Sequence, residues 1–88
     1  MVNNRRSEFE IISDILTLSM NGAKTTEILY HGYISYTQLK KYIPFLVEKE
    51  ILVEIQVPNG NGNSRIYKTT EKGHEFLRHI NKALSYFK

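Results

Sequence analysis

The chain has 88 residues, a formal net charge of +3 and no Cys. That length fits one small domain, and the lack of Cys excludes a disulfide framework and points to a reducing, cytoplasmic setting. No apolar run approaches the roughly 20 residues of a membrane span and no secretory leader is visible, so a soluble intracellular protein is expected.

Met1 to Arg6 reads as a polar arm expected to fray, although Arg5 and Arg6 carry phosphate-binding chemistry. Ser7 and Glu10 have capping-box spacing, which predicts a first helix over 7–21 with Gly22 as its stop. Its apolar residues form two stripes, Phe9, Ile12, Leu16 and Met20 beside Ile11, Ile15 and Leu18. A surface helix needs only one stripe, so the second predicts contact with something besides the helix's own core. Ala23-Lys24-Thr25 is expected as a very short strand. Thr26 is the expected N-cap of a short second helix over 26–32, with Glu27 near its positive end and Gly32 supplying the turn.

Ser35 and Gln38 repeat the capping-box spacing and open a third helix over 35–49. Leu39, Ile43, Leu46 and Val47 share a face and are expected in the core. Tyr36, Thr37, Gln38, Lys40 and Lys41 fall mostly away from it. Pro44 conflicts with the helix, because an interior Pro removes a hydrogen bond and clashes with the preceding turn, at a cost of about 3 kcal/mol. It predicts a kink near Tyr42-Ile43. Glu50 stands where a helix-ending Gly is usual. Ile51 to Val57 is β-branched and apolar, residues 58–64 are turn chemistry, and Arg65 to Thr69 is the returning strand. The hairpin over 51–69 has no apolar residue at its tip and is expected to be mobile. Thr70 caps a last helix over 70–87, in which Leu77, Ile80, Leu84 and Phe87 are spaced three, four and three, as a heptad seam is. Phe76 and Ala83 widen that seam.

Short helix, turn, helix, flexible hairpin and helix is the order of a winged helix-turn-helix. The predicted class is therefore α+β, with a long C-terminal dimerisation helix. The apolar excess of the first and last helices predicts a homodimer with Ile11, Ile15, Leu77, Ile80, Leu84 and Phe87 at its interface. The alternative is that these two helices pack only on each other.

Tyr67-x-x-Thr70-x-Lys72-Gly73 resembles the wing end and final helix start of many archaeal and bacterial winged-helix regulators. Ala23-Lys24-Thr25-Thr26-Glu27-Ile28, Tyr36-x-x-Leu39-Lys40-Lys41-Tyr42 and Leu46-Val47-Glu48-Lys49 together are similar to the small archaeal winged-helix proteins of about ten kilodaltons that include dimeric chromatin proteins. The resemblance spans nearly the whole chain. It implies an antiparallel coiled coil of C-terminal helices, with each subunit presenting a recognition helix and a wing to duplex DNA. Pro44 and Glu50 depart from the pattern.

Charge distribution also suggests double-stranded DNA as partner. Asp and Glu are absent from Ile28 to Val47 and again from Ile55 to Thr70, and local basicity of this kind steers polyanions. In the major groove, Tyr36, Thr37, Gln38 and Lys41 are the expected readers. Gln is able to pair with an adenine edge and Thr to touch a thymine methyl. Lys40 is expected on phosphate, Lys68 either on phosphate or outside the footprint, and Arg65 in the minor groove or on the backbone. A solvated helix face is the alternative for Lys40 and Lys41, and packing on the second helix is the alternative for Tyr36. Tyr67 is expected in the core.

No enzyme is expected. His31, His74 and His79 lack a metal-ligand pattern, and Gly60-Asn61-Gly62 lies between strands and not before a helix. No metal, cofactor, small-molecule ligand or membrane partner is expected, and the expected location is the cytoplasm, on the nucleoid. Three functions remain open: a sequence-specific transcriptional regulator, slightly favoured by Thr37 and Gln38; an architectural, chromatin or partition protein with weak sequence preference; and a protein-interaction module.

Overall fold

A computed structural model describes residues 7–87. The N-terminal arm with Arg5 and Arg6 lies outside the described residues. The elements are α1 (Glu8–Leu18), β1 (Ala23–Lys24), α2 (Thr25–Gly32), α3 (Tyr36–Glu48), β2 (Leu52–Asn59), β3 (Gly62–Thr69) and α4 (Glu71–Ser85). The three strands form one antiparallel sheet in the order β1-β3-β2. The fold is an α+β winged helix, with a 15-residue C-terminal helix.

The Ser7–Glu10 capping box forms in both directions, and each side chain accepts the other's backbone N–H. α1 ends earlier than expected, at Leu18. Thr69 in β3 explains this: its hydroxyl donates to the Leu16 carbonyl at 2.7 Å and its N–H to the Ser19 carbonyl at 2.9 Å. Those bonds satisfy helix-end carbonyls from across the fold. Gly22 then turns the chain at φ 99°.

Both apolar stripes of α1 are used within the chain, because α1 lies between α2 and α4. Ile11, Ile12, Ile15 and Leu16 are all buried, as are Leu77 and Ile80 of α4. This corrects the expected interface. Ile11, Ile15, Leu77 and Ile80 are buried within the monomer; α4 meets the Ser13 side of α1, while Leu18 of the second stripe lies toward Gly32 of α2. Ser13 adds a polar link by donating to Asn81 Oδ1 at 3.0 Å.

α2 starts before the expected Thr26 cap. Lys24 is the N-cap, and its N–H is held by the Glu27 carboxylate at 2.7 Å. Gly32 does not make the turn as expected; it is the buried last residue of α2, and Tyr33 takes the left-handed conformation at φ 54°.

α3 runs unbroken from Tyr36 to Glu48, through Pro44. Pro44 lies on the exposed side, where water can satisfy the carbonyl its missing N–H leaves open. Tyr42, left out of the expected core, is buried with Leu39, Ile43 and Leu46.

The α3 end is a Schellman turn built without Gly. Ile51 N–H bonds the Leu46 carbonyl at 2.9 Å and Glu50 N–H the Val47 carbonyl at 3.0 Å, while Glu50 sits at φ 62°. The start of α4 braces it. Thr70 accepts from Gly73 N–H and donates its hydroxyl to the Glu50 carbonyl at 2.6 Å, and Lys72 Nζ donates to the Lys49 carbonyl at 2.9 Å. A Cβ at Gly73 would overlap the Ile51 carbonyl oxygen and approach Thr69 Cγ2 to 2.7 Å. The Thr70-x-Lys72-Gly73 run is thus the joint between α3 and α4.

The hairpin is zipped further than the expected strand ends at Val57 and Arg65. Asn59 pairs with Gly62, which leaves only Gly60 and Asn61 in the turn. Gly60 has φ 57°, as a Gly-first two-residue turn requires. Asn59 Nδ2 donates to Ser64 Oγ across the strands at 2.7 Å. Pro58 is tolerated because β2 is an edge strand.

Candidate nucleic-acid interface

The second capping box, Ser35 with Gln38, fixes the start of α3 at the open end of the helix-turn-helix. Gln38 N–H donates to Ser35 Oγ, and Ser35 N–H to Gln38 Oε1, each at 3.0 Å. Successive helix residues lie about 100° apart. Leu39, Tyr42, Ile43 and Leu46 face the core, so the direction opposite them runs through Thr37, Lys41, Pro44 and Glu48. All four are exposed. Lys40 flanks this line on one side. Gln38 lies well round toward the other side and is half-buried.

The two lysines point apart. Lys40 Nζ lies over the Tyr36 ring, 5.4 Å from its centroid. Lys41 Nζ lies over the Tyr42 ring at 5.3 Å and pairs with Glu8 of α1 at 3.7 Å. Tyr36 is 61% exposed, so it does not pack on α2 as the alternative reading held. The outward line ends in Glu48, so the acid-free residues of α3 lie before it, with Glu8 of α1 as the carboxylate beside Lys41.

Alternation along the strands sorts the wing. Leu52, Tyr67 and Thr69 are buried and mark the face covered by helices. Arg65 belongs to that face. It pairs with Glu54 at 3.5 Å, and Glu54 also accepts from the Tyr67 hydroxyl at 3.5 Å. Lys68 sits opposite Val53 on the other face, with Ile55, Val57 and Ile66. The hairpin therefore separates Arg65 from Lys68, and a ligand lying against α3 and one face of the wing meets only one of them. Tyr67 is the expected core ring.

A family model described as "Winged helix-turn-helix" matches residues 5–87. The chain belongs to the winged helix-turn-helix family. Among solved structures it is similar to Sso10a-2, a DNA-binding protein from Sulfolobus solfataricus. The two share 30% identity and a TM-score of 0.81, over 92% of this chain and 81% of that one. No curated protein matches.

The winged-helix frame also carries features the residue reading missed. Glu8 and Glu54 each hold a cation expected to touch DNA, and nothing in their spacing announces it, because both pairs span separate elements. Tyr30 and Tyr33, at 82% and 87% exposure, flank the helix-turn-helix turn beside Tyr36. Their exposure was legible only as an absence of core periodicity. Among the described residues, no group of three His, Asp or Glu side chains is placed to hold a metal ion, and no helix is long and apolar enough to cross a membrane.

Proposed function

We propose that this winged-helix protein binds double-stranded DNA as a homodimer, with the first two turns of α3 in the major groove and the wing on the minor groove or backbone. One observation carries the reading: Thr37, Lys40 and Lys41 are exposed together at the start of a capped α3 whose first three turns contain no Asp or Glu. The similarity to a DNA-binding protein over most of both chains supports it. A winged helix reads DNA with that part of its recognition helix. Tyr36 flanks the surface, Arg65 contacts DNA from the α3 side of the wing, and Lys68 serves phosphate only where DNA wraps to the outer face.

The regulator reading leans on Thr37 and Gln38 as base readers. The architectural reading, with weak sequence preference, is favoured by Gln38 itself. Its Oε1 already accepts the Ser35 N–H, whereas bidentate adenine pairing needs that oxygen turned to the base edge. Phosphate contacts then dominate, and they carry no direct sequence information. Lys40, Lys41, Arg65 and Lys68 from two copies neutralise about eight phosphates at most, a log–log salt slope of up to about −7.

Fluorescence anisotropy with a random duplex and a selected duplex, at two salt concentrations, tests this. Binding that weakens steeply with salt is expected. Similar affinity for both duplexes supports the architectural reading, and a large preference for the selected one supports the regulator. No binding at low salt removes DNA and leaves the protein-interaction module.

A further inference from the structure

Three exposed tyrosines lie at the helix-turn-helix turn. Tyr30, Tyr33 and Tyr36 are 82%, 87% and 61% exposed. They are spaced three residues apart, so neighbouring Cα atoms lie within about 11 Å of each other. Tyr33 holds its ring outward from a left-handed backbone at φ 54°, a conformation that is costly for a bulky side chain and natural for Gly or Asn.

The surroundings are those of a polyanion site. Ile28 to Val47 contains no Asp or Glu and carries Lys40 and Lys41. Lys40 Nζ stands over the Tyr36 ring. Tyr30 meets His31 at a 46° tilt with 6.5 Å between centroids, so that neighbour does not stack flat on its ring. Flat aromatic faces beside cations recognise unpaired bases, which stack on the rings while the cations track the phosphates. In an intact duplex those base faces are already covered by their neighbours.

We propose that Tyr30, Tyr33 and Tyr36, with Lys40, form a stacking platform for single-stranded DNA that borders the surface proposed for duplex, shares Lys40 with it, and differs from it by Tyr30 and Tyr33. The site engages unpaired bases with little sequence preference. It stands whether or not the duplex reading does, because each substrate is titrated separately.

The test uses the full chain with a thymidine oligonucleotide and, in parallel, a fully paired hairpin duplex. The sequence contains no Trp, so tyrosine emission is read directly, and stacking is expected to quench it when the oligonucleotide binds. Tyr30→Ala with Tyr33→Asn removes two rings and keeps a residue that tolerates the left-handed backbone. It is expected to weaken single-strand binding about 30-fold or more and duplex binding less than about two-fold. Tyr30→Phe with Tyr33→Phe keeps the rings and is expected to keep the affinity. Absence of single-strand binding at low salt overturns the platform. So does an equal loss for both substrates, or a loss in the Phe variant, since either makes the hydroxyls duplex backbone contacts. Failure of the duplex reading shows separately, as a hairpin that does not bind while the oligonucleotide does.

Discussion

Glu50 occupies a left-handed position at φ 62° without the freedom Gly has there. The turn survives because its carbonyl is held by the Thr70 hydroxyl and the next N–H closes on Leu46. Glu50→Gly is expected to stabilise the fold by about 1 kcal/mol, read as a higher denaturation midpoint at unchanged slope. Gly73 is the opposite case. Gly73→Ala drives a methyl into the Ile51 carbonyl and is expected to cost about 2 kcal/mol or more in the same measurement. The charged residues make a third prediction. Lys41–Glu8 and Arg65–Glu54 are exposed pairs, worth about 0.2–1 kcal/mol each, and both carboxylates compete with phosphate. Under the DNA-binding reading, Glu8→Gln with Glu54→Gln is expected to tighten duplex binding a few-fold at low salt, with little change in stability. Weaker binding in that titration would mean that the pairs position the cations for DNA.

At the scale of elements, α3 shows how legible local signals were. Its capping box was readable from Ser35 and Gln38, because both bonds form within one turn. Its continuation through Pro44 was expected too, but the side on which Pro44 sits was not, and the cost of Pro depends on whether water reaches the freed carbonyl. That is decided by which side of the helix faces the core. Glu50 and Tyr33 are similar: the need for a left-handed residue was foreseen at the first and misplaced to Gly32 at the second. The wing was legible as a hairpin, but the strand ends were not, since Asn and Gly serve long loops and tight turns equally well. The element's own prediction is functional. Lys40→Ala with Lys41→Ala is expected to weaken duplex binding and to flatten the salt slope by about 0.9 for each phosphate no longer neutralised. The fold is expected to be unchanged, because both side chains are exposed. Unaltered affinity would move the proposed DNA-facing surface away from α3.

For the whole molecule, the proposed dimer rests on what α1 and α4 leave uncovered. Phe9 and Phe87, at 56% and 86% exposure, line an open groove of about 730 Å³ with half-buried Leu84. Of the six residues expected at the interface, Leu84 and Phe87 remain available, and Phe9 joins them. Phe87→Glu removes an exposed ring without touching the core, so it is expected to lower the mass in sedimentation while the circular dichroism spectrum is kept. Leu84→Glu is expected to do the same with some loss of stability, because Leu84 also packs against the core. An unchanged mass in both variants places any self-association elsewhere.

The order of elements, the Ser7, Ser35 and Thr70 caps, the core stripes and the acid-free basic segments were all written in the chain. Each depends on residues near one another in sequence, where periodicity and hydrogen-bonding chemistry act locally. The tertiary structure alone decided how each surface is used. It buried residues of both α1 stripes between neighbouring elements of the same chain and set Arg65 and Lys68 on opposite faces of the wing. It also placed Glu8 and Glu54 against the cations and left Tyr30, Tyr33 and Tyr36 in solvent. Those outcomes depend on packing between distant segments, and no local pattern encodes which of two exposed faces a neighbouring element will cover.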